Sequence, residues 1–227
     1  MNNLIELKNI SKHYIVNRKT VILKKINFKF KKGLIYSLVG PSGSGKSTLL
    51  NIVSLIDKPS SGEILINNNS TKHNNDSTND QLRADKIGII YQQNNLLPDF
   101  TALENVYLAR LTINDDKKKA IFEAKKIIKN LGLSNRLSHY PSQLSGGELQ
   151  RIAISRALIN KPEIILADEP TGSLDISTAK EVFKLLYSLK NKNRLIIYAT
   201  HNRLFSNMAD CKLEMIGGNI KPSNAIK

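Results

Sequence analysis

Hydrophobic and polar residues alternate first at Ile26, Phe28 and Phe30, set against Asn27, Lys29 and Lys31. A period of two with one apolar side predicts a half-buried strand. Lys-Lys-Gly at 31–33 reads as a turn, and Leu34 to Val39 as an apolar strand that stops at Gly40. A helix is expected from about Lys46 to Ile56, a turn at 59–62, and a short strand from Glu63 to Ile66. Residues 67–80, NNNSTKHNNDSTND, contain no apolar side chain and read as a mobile surface loop. His73 lies in that loop without companion metal ligands. Another apolar strand follows at Ile87–Tyr91.

From about 101 to 160 the period becomes helical. Ala120, Ile121, Ala124, Ile127, Ile128 and Leu131 fall on one face, and Gly132 is placed to stop that helix. Glu163–Ala167 and Leu195–Ala199 are strand-like, and between them Val182, Phe183, Leu186 and Leu189 share a helical face. MIGGNI at 215–220 predicts a hairpin around Gly-Gly. The pattern contains no internal repeat. Strands and helices alternate at both ends with a helical block between them, which predicts an α/β sheet carrying an α-helical subdomain at about 95–160. One domain over 1–227 accommodates this length.

Composition changes this picture little. Of the 227 residues, 41% are hydrophobic and 23% charged, an ordinary globular mixture. The single cysteine, Cys211, can form no internal disulfide. The start, MNNLIELKNI, lacks the basic and apolar blocks of a signal peptide, and no apolar run approaches the ~18 residues that span a bilayer. A cytosolic protein is expected, reaching a membrane only through a partner. The net charge of +15 raises nucleic acid or an anionic surface as partners. The lysines are scattered, and Lys, Asn and Ile are abundant together, so the charge reads as compositional and no nucleic-acid partner is expected.

Three constellations carry chemistry. Gly40-Pro41-Ser42-Gly43-Ser44-Gly45-Lys46-Ser47 fits the phosphate-loop spacing, between an apolar strand and a helix that continues with Thr48. Its glycines let backbone N–H groups approach a polyphosphate, and the helix adds its positive dipole end. Lys46 is placed to reach the terminal phosphates and the Ser47 hydroxyl to bind Mg²⁺. Next, Ile164-Ile165-Leu166-Ala167 suits a strand buried on both faces and ends in Asp168-Glu169. Carboxylates there lie at the ligand-binding edge of an α/β sheet. Asp168 can hold Mg²⁺, and Glu169 can act as general base toward water. Third, Leu144-Ser145-Gly146-Gly147-Glu148 opens a helix whose apolar face carries Leu149, Ile152, Ala153 and Ala157. That is a second anion-binding helix end, but the spacing does not say which phosphate it would serve.

Taken together, the phosphate loop, LSGGE and LADEPTGSLD resemble the nucleotide-binding domain of ABC transporters, in that family's order and over about 4–220. The resemblance implies a P-loop NTPase with a RecA-like core sheet, an N-terminal antiparallel β subdomain and an inserted helical subdomain, binding ATP with Mg²⁺. It implies further roles. Tyr14 would stack on adenine. Gln92 would be the Q-loop residue near the metal, with Gln93 the alternative; Gln92 keeps the spacing to Leu96-Leu97-Pro98. His201 would contact the γ-phosphate, and Ser173-Leu174-Asp175 would form the D-loop, with Asp175 among the nucleotide-binding residues. For Tyr14 an ordinary strand tyrosine, and for His201 an ordinary loop histidine, remain the alternatives.

The resemblance also implies assembly. Two such domains pack head to tail, so that Ser145, Gly146 and Gly147 serve the ATP of the neighbouring copy, in a homodimer or a heterodimer. An integral-membrane permease would dock near Gln92 and the apolar residues Leu96, Leu97, Pro98 and Phe100, placing the chain peripherally on the cytoplasmic face of the inner membrane. Residues 87–106 are similar to those of ATPases in bacterial lipoprotein-releasing exporters. Macrolide-export and cell-division ATPases are the sister readings, and a soluble non-transport ATPase a more distant one. Leu149, Ser173 and the Asn-rich 67–80 segment depart from the lipoprotein-exporter pattern.

Overall fold

The computed structural model describes residues 3–15, 18–113 and 116–223; the expectation of one domain over 1–227 extends beyond them at both ends. In chain order the elements are β1 (Asn3–Ile15), β2 (Lys19–Lys31), β3 (Ile35–Val39), α1 (Lys46–Val53), β4 (Ser61–Ile66), β5 (Asn69–Ser70), α2 (Asp76–Lys86), β6 (Ile87–Ile90), α3 (Ala102–Leu111), α4 (Lys117–Asn130), α5 (Gly146–Leu158), β7 (Ile164–Asp168), α6 (Ile176–Ser188), β8 (Leu195–Ala199), α7 (Arg203–Ser206), β9 (Cys211–Ile216) and β10 (Asn219–Pro222). Two compact units result, Met1–Asp80 with Lys190–Lys227, and Gln81–Leu189. The division falls within α2.

The first unit holds an antiparallel sheet in the order β2-β1-β4-β5. Its register places Ile5 opposite Phe30 and Ile66, and Leu7 opposite Phe28 and Ile64. The alternation around residue 28 is therefore realised: Ile26 and Phe30 are buried, while Asn27 and Lys29 face solvent. The same unit holds β3 between β8 and β9, both parallel to it, with β10 antiparallel on β9. β3 and β8 are almost wholly buried, as parallel strands covered on both faces must be. Leu38 pairs with Ala199 and Val39 with Glu214, so the segments following β3 and β8 leave the sheet at the same edge.

In the second unit β6 and β7 run parallel, Ile90 beside Ala167. Gly88 sits where an added Cβ would lie 2.4 Å from the Ala157 carbonyl oxygen, which lets α5 lie directly against β6. Helices α3, α4 and α5 share an apolar core that includes Val106, Ala124, Ile128 and Ile152. Their starts are capped as the sequence requires. Thr101 forms a capping box with Glu104, and the Asp116 carboxylate accepts from the Lys119 N–H at 2.9 Å. Gly132, at φ +77°, ends the α4 turn.

Two expectations are corrected. Residues 67–80 are not a structureless loop. Asn67 and Asn68 take left-handed conformations (φ 50° and 65°) and turn the chain back, so that Leu65 pairs with Ser70 and Ile66 with Asn69. Asparagine tolerates that conformation better than most residues. Helix α2 then starts at Asp76; the Asn75 side chain accepts from the Thr78 N–H at 2.7 Å, and Asn79 is buried, accepting from Asn74. Helix α1 also stops early, at Val53 and not Ile56. Leu55 turns left-handed, and the N–H groups of Ile56 and Asp57 both donate to the Asn51 carbonyl.

Candidate functional site

The first unit presents the phosphate loop at the end of β3. Gly40 is required there by close approach, because an added Cβ would lie 2.4 Å from the Met215 carbonyl and 2.9 Å from Ser44 Oγ. Beyond it Pro41, Ser42 and Gly43 are exposed, and nothing lies within 4 Å of the Gly43 Cβ direction. Helix α1 begins at Lys46 with Gly45 (φ +100°) as its N-cap and no side-chain cap. Its first N–H groups thus face a site that no protein side chain fills from the cap position. Lys46 folds back over the loop, its Nζ donating to the carbonyls of Gly40 at 2.9 Å and Pro41 at 3.0 Å. Ser44 Oγ is buried without a hydrogen-bond partner, Ser47 is exposed, and Thr48 is half-buried. An orphaned hydroxyl inside a glycine-lined loop suits a ligand rich in oxygen acceptors.

His201 lies at the same edge, two residues past β8. Val39, Gly40, Pro41, His201, Arg203 and Lys212 line one cleft of about 520 Å³. The cleft thus brings His201 to the phosphate loop and adds two cations the sequence reading missed. Arg203 carried a weak signal, two residues from His201; Lys212 carried none, because only the β3–β9 register places it there. Tyr14 is 42% exposed, and its hydroxyl donates to Asp57 Oδ2 at 2.8 Å.

In the second unit, Asp168 is the last residue of β7 and Glu169 follows with φ 45°. A non-glycine residue in that region is held by its surroundings, and such strain clusters at functional sites. The Gly172 N–H donates to the Glu169 carbonyl at 3.0 Å, forming a turn. Gln92 packs on that turn: an added Cβ at Gly172 would meet the Gln92 Nε2 at 2.9 Å, and its three nearest atoms all belong to Gln92. Gln92 thus lies at the carboxylates' turn.

Ser145 caps α5 in a capping box: Glu148 N–H donates to Ser145 Oγ at 3.3 Å, and Ser145 N–H to Glu148 Oε2 at 2.8 Å. The Ser145 N–H, aided by the Arg136 guanidinium, holds the Glu148 carboxyl down at about 2. Ser145 and Gly146 remain exposed, whereas Gly147 is buried, its missing Cβ leaving room for Thr178 Cγ2, which an added Cβ would approach to 2.5 Å. Asp175 caps α6, accepting from the Ser177 hydroxyl and the N–H groups of Ser177 and Thr178. The Ser177 hydroxyl, with Thr178, holds its carboxyl well below the usual carboxylate range. In this structure Asp175 is thus a helix cap, a role the sequence reading had not given it.

Comparison with known proteins matches this arrangement. Residues 23–172 fit the family described as ABC transporter. The "Lipoprotein-releasing system ATP-binding protein LolD" of Rickettsia bellii (strain RML369-C) is 47% identical over 211 residues, 92% of this chain and 93% of the relative. The protein of that name from Ehrlichia canis (strain Jake) is 47% identical over 215 residues, 94% of this chain and 95% of the relative. Among solved structures, a dimeric post-hydrolysis state of the ATP-binding cassette MJ0796 bound to ADP and Pi superposes with a TM-score of 0.90 at 37% identity, covering 98% of this chain and 99% of the other. With a family match over more than half its length and relatives this similar along nearly all of it, the chain belongs to the ABC transporter family.

Proposed function

We propose that this chain is the ATP-hydrolysing subunit of an ABC exporter that releases lipoproteins from the inner membrane. The phosphate loop carries the ATP reading: an α1 start with no side-chain cap, the orphaned Ser44 hydroxyl and Lys46 poised over the loop. The name borne by relatives 47% identical along nearly their whole length supports the lipoprotein reading. Lys46 and the loop N–H groups bind the terminal phosphates, and Tyr14 receives the adenine. Glu169 accepts the proton of the attacking water as that water bonds to the γ-phosphorus and the bond from the γ-phosphorus to the β–γ bridging oxygen breaks, so that ADP and inorganic phosphate leave. Arg203 and Lys212 line the cleft with His201 and place two cations, beside the Glu214 carboxylate, next to the phosphate loop.

The residues also fit Mg²⁺. That ion keeps several waters and takes one or two protein oxygens beside those of phosphates. Ser47 offers a hydroxyl, Asp168 a carboxylate and Gln92 an amide oxygen, all hard donors. When bound, Mg²⁺ neutralises charge developing on the phosphate oxygens. Ser145, Gly146 and Gly147 act on the ATP of a second copy or a similar subunit; that the cassettes this fold resembles are dimeric supports a paired arrangement. Among the described residues no helix is long and apolar enough to cross a membrane. A permease supplies the spans, and the subunit works peripherally on the cytoplasmic face, with Leu96, Leu97, Pro98 and Phe100 near the docking groove. Leu97 and Phe100 are exposed, at 46% and 39%, as a docking surface requires.

Depletion in the source bacterium tests this reading. Lipoproteins should accumulate in the inner membrane, measured by fractionation and immunoblotting. If they still reach the outer membrane while drug efflux or cell division fails, the sister readings replace it.

A further inference from the structure

Tyr14 lies near the end of a strand whose pairing is irregular. The register of β1 on β2 shifts between Leu7 and Ile10, between Ile10 and Lys12, and between Lys12 and His13. Such bulges bend a strand and re-aim its side chains, often beside functional sites. Lys12 and Tyr14, two positions apart, share one face of β1, and the Lys12 Nζ lies 4.9 Å from the ring centroid. The same ammonium donates to Asp57 Oδ1 at 2.6 Å and to the Lys58 carbonyl at 2.7 Å. The other Asp57 oxygen, Oδ2, accepts from the Tyr14 hydroxyl at 2.8 Å. The ring is therefore held twice, by its polar tip and by a cation over one face.

The exposures make this asymmetric. The side chains of Lys12 and Asp57 are 11% and 29% exposed, whereas Tyr14 is 42% exposed. Burial alone would raise the Asp57 carboxyl, but the hydrogen bonds from Lys12 and Tyr14 outweigh it and hold the group ionised. Asp57 is itself fixed to the phosphate-loop helix, since its N–H donates to Asn51 of α1 at 3.1 Å. The chain of contacts thus runs from the phosphate-loop helix through Asp57 and Lys12 to the aromatic ring. A free surface tyrosine would lose rotamer freedom on stacking with a base; a ring already held does not, and that saving appears as affinity.

We infer that Lys12 and Asp57 are positioning residues that hold the Tyr14 ring for the adenine base, and so set nucleotide affinity and not turnover. The inference rests on the reading of Tyr14 as the adenine platform. The test is ATP affinity of the purified subunit, with KM and kcat in the complex assembled with its permease. Tyr14→Ala should raise KM about tenfold, the range of one base–aromatic stack. Lys12→Met and Asp57→Asn should each raise KM about fivefold with kcat within about twofold, while Lys12→Arg, which keeps the cation, stays near the parent. Tyr14→Phe keeps the ring and loses only the tether; combined with Asp57→Asn it should do no more than either alone. Inorganic tripolyphosphate, which has no base, should inhibit every variant equally. If Tyr14→Ala leaves KM unchanged, the platform reading itself falls. If Tyr14→Ala raises KM but Lys12→Met and Tyr14→Phe do not, the platform stands and the positioning inference is overturned. Weaker inhibition by tripolyphosphate in these variants also overturns it, since the damage would then lie in the loop.

Discussion

Replacing Lys46 with alanine should lower ATP turnover by about a hundredfold or more, the loss typical when one preorganised charge-stabilising donor is removed. Lys46 is the only cationic side chain in the segment 40–47. Its Nζ hydrogen-bonds the carbonyls of Gly40 and Pro41, a position over the loop from which a short swing reaches an entering phosphate. A bound triphosphate carries several negative charges in a loop otherwise offering neutral N–H dipoles, so the ammonium makes the strongest single contact there. The fold should survive. Helix α1 is anchored by Leu49, Leu50, Ile52 and Val53, all buried and all untouched by the change. Phosphate release by the purified variant, with circular dichroism to confirm folding, is the measurement. Turnover within about twofold of the parent would remove Lys46 from the active site.

The second large effect is expected from Glu169→Gln. Glutamine matches the shape of glutamate, so the strained backbone at φ 45° gains no new clash from the side chain. An amide can still hydrogen-bond water, but it cannot take its proton. Hydrolysis should fall by about a hundredfold to ten-thousandfold, the usual contribution of a general base, while ATP binding persists. ATP bound without turnover should then collect the protein as a closed dimer, because a ligand that binds one state better shifts the population toward it. Light scattering with ATP and Mg²⁺ reads this directly. A variant that binds ATP yet stays monomeric would contradict the trans role assigned to Ser145, Gly146 and Gly147; one that still hydrolyses at the parental rate would contradict the base.

What could be read from the sequence follows from what the physics makes local. The strands at 35–39, 164–168 and 195–199 lie in short, mainly apolar runs bounded by glycine or polar residues, and their burial on both faces is what produces such runs. Gly40 to Ser47, Asp168-Glu169 and Ser145 to Glu148 are contiguous, so each could be recognised before the fold was known. The 67–80 segment could not. Its polarity hides a two-residue strand and a helix whose faces need little apolar cover, and the repeated asparagines that suggested disorder form a tight turn at Asn67 and Asn68. Asp57 and Lys12 are separated by forty-five positions, and no local pattern in the sequence links them. Asp175 kept its place in the motif, but its cap on α6 appears only once its partners Ser177 and Thr178 are seen.

The most direct measurement is lipoprotein release from proteoliposomes that contain this chain and its permease, loaded with a labelled lipoprotein. Supplied with ATP and Mg²⁺, they should release the lipoprotein to a soluble acceptor as phosphate appears, and proteoliposomes carrying the Glu169→Gln subunit should release none. Release that proceeds equally without ATP, or ATP hydrolysis that proceeds with the lipoprotein left in the membrane, would contradict the account.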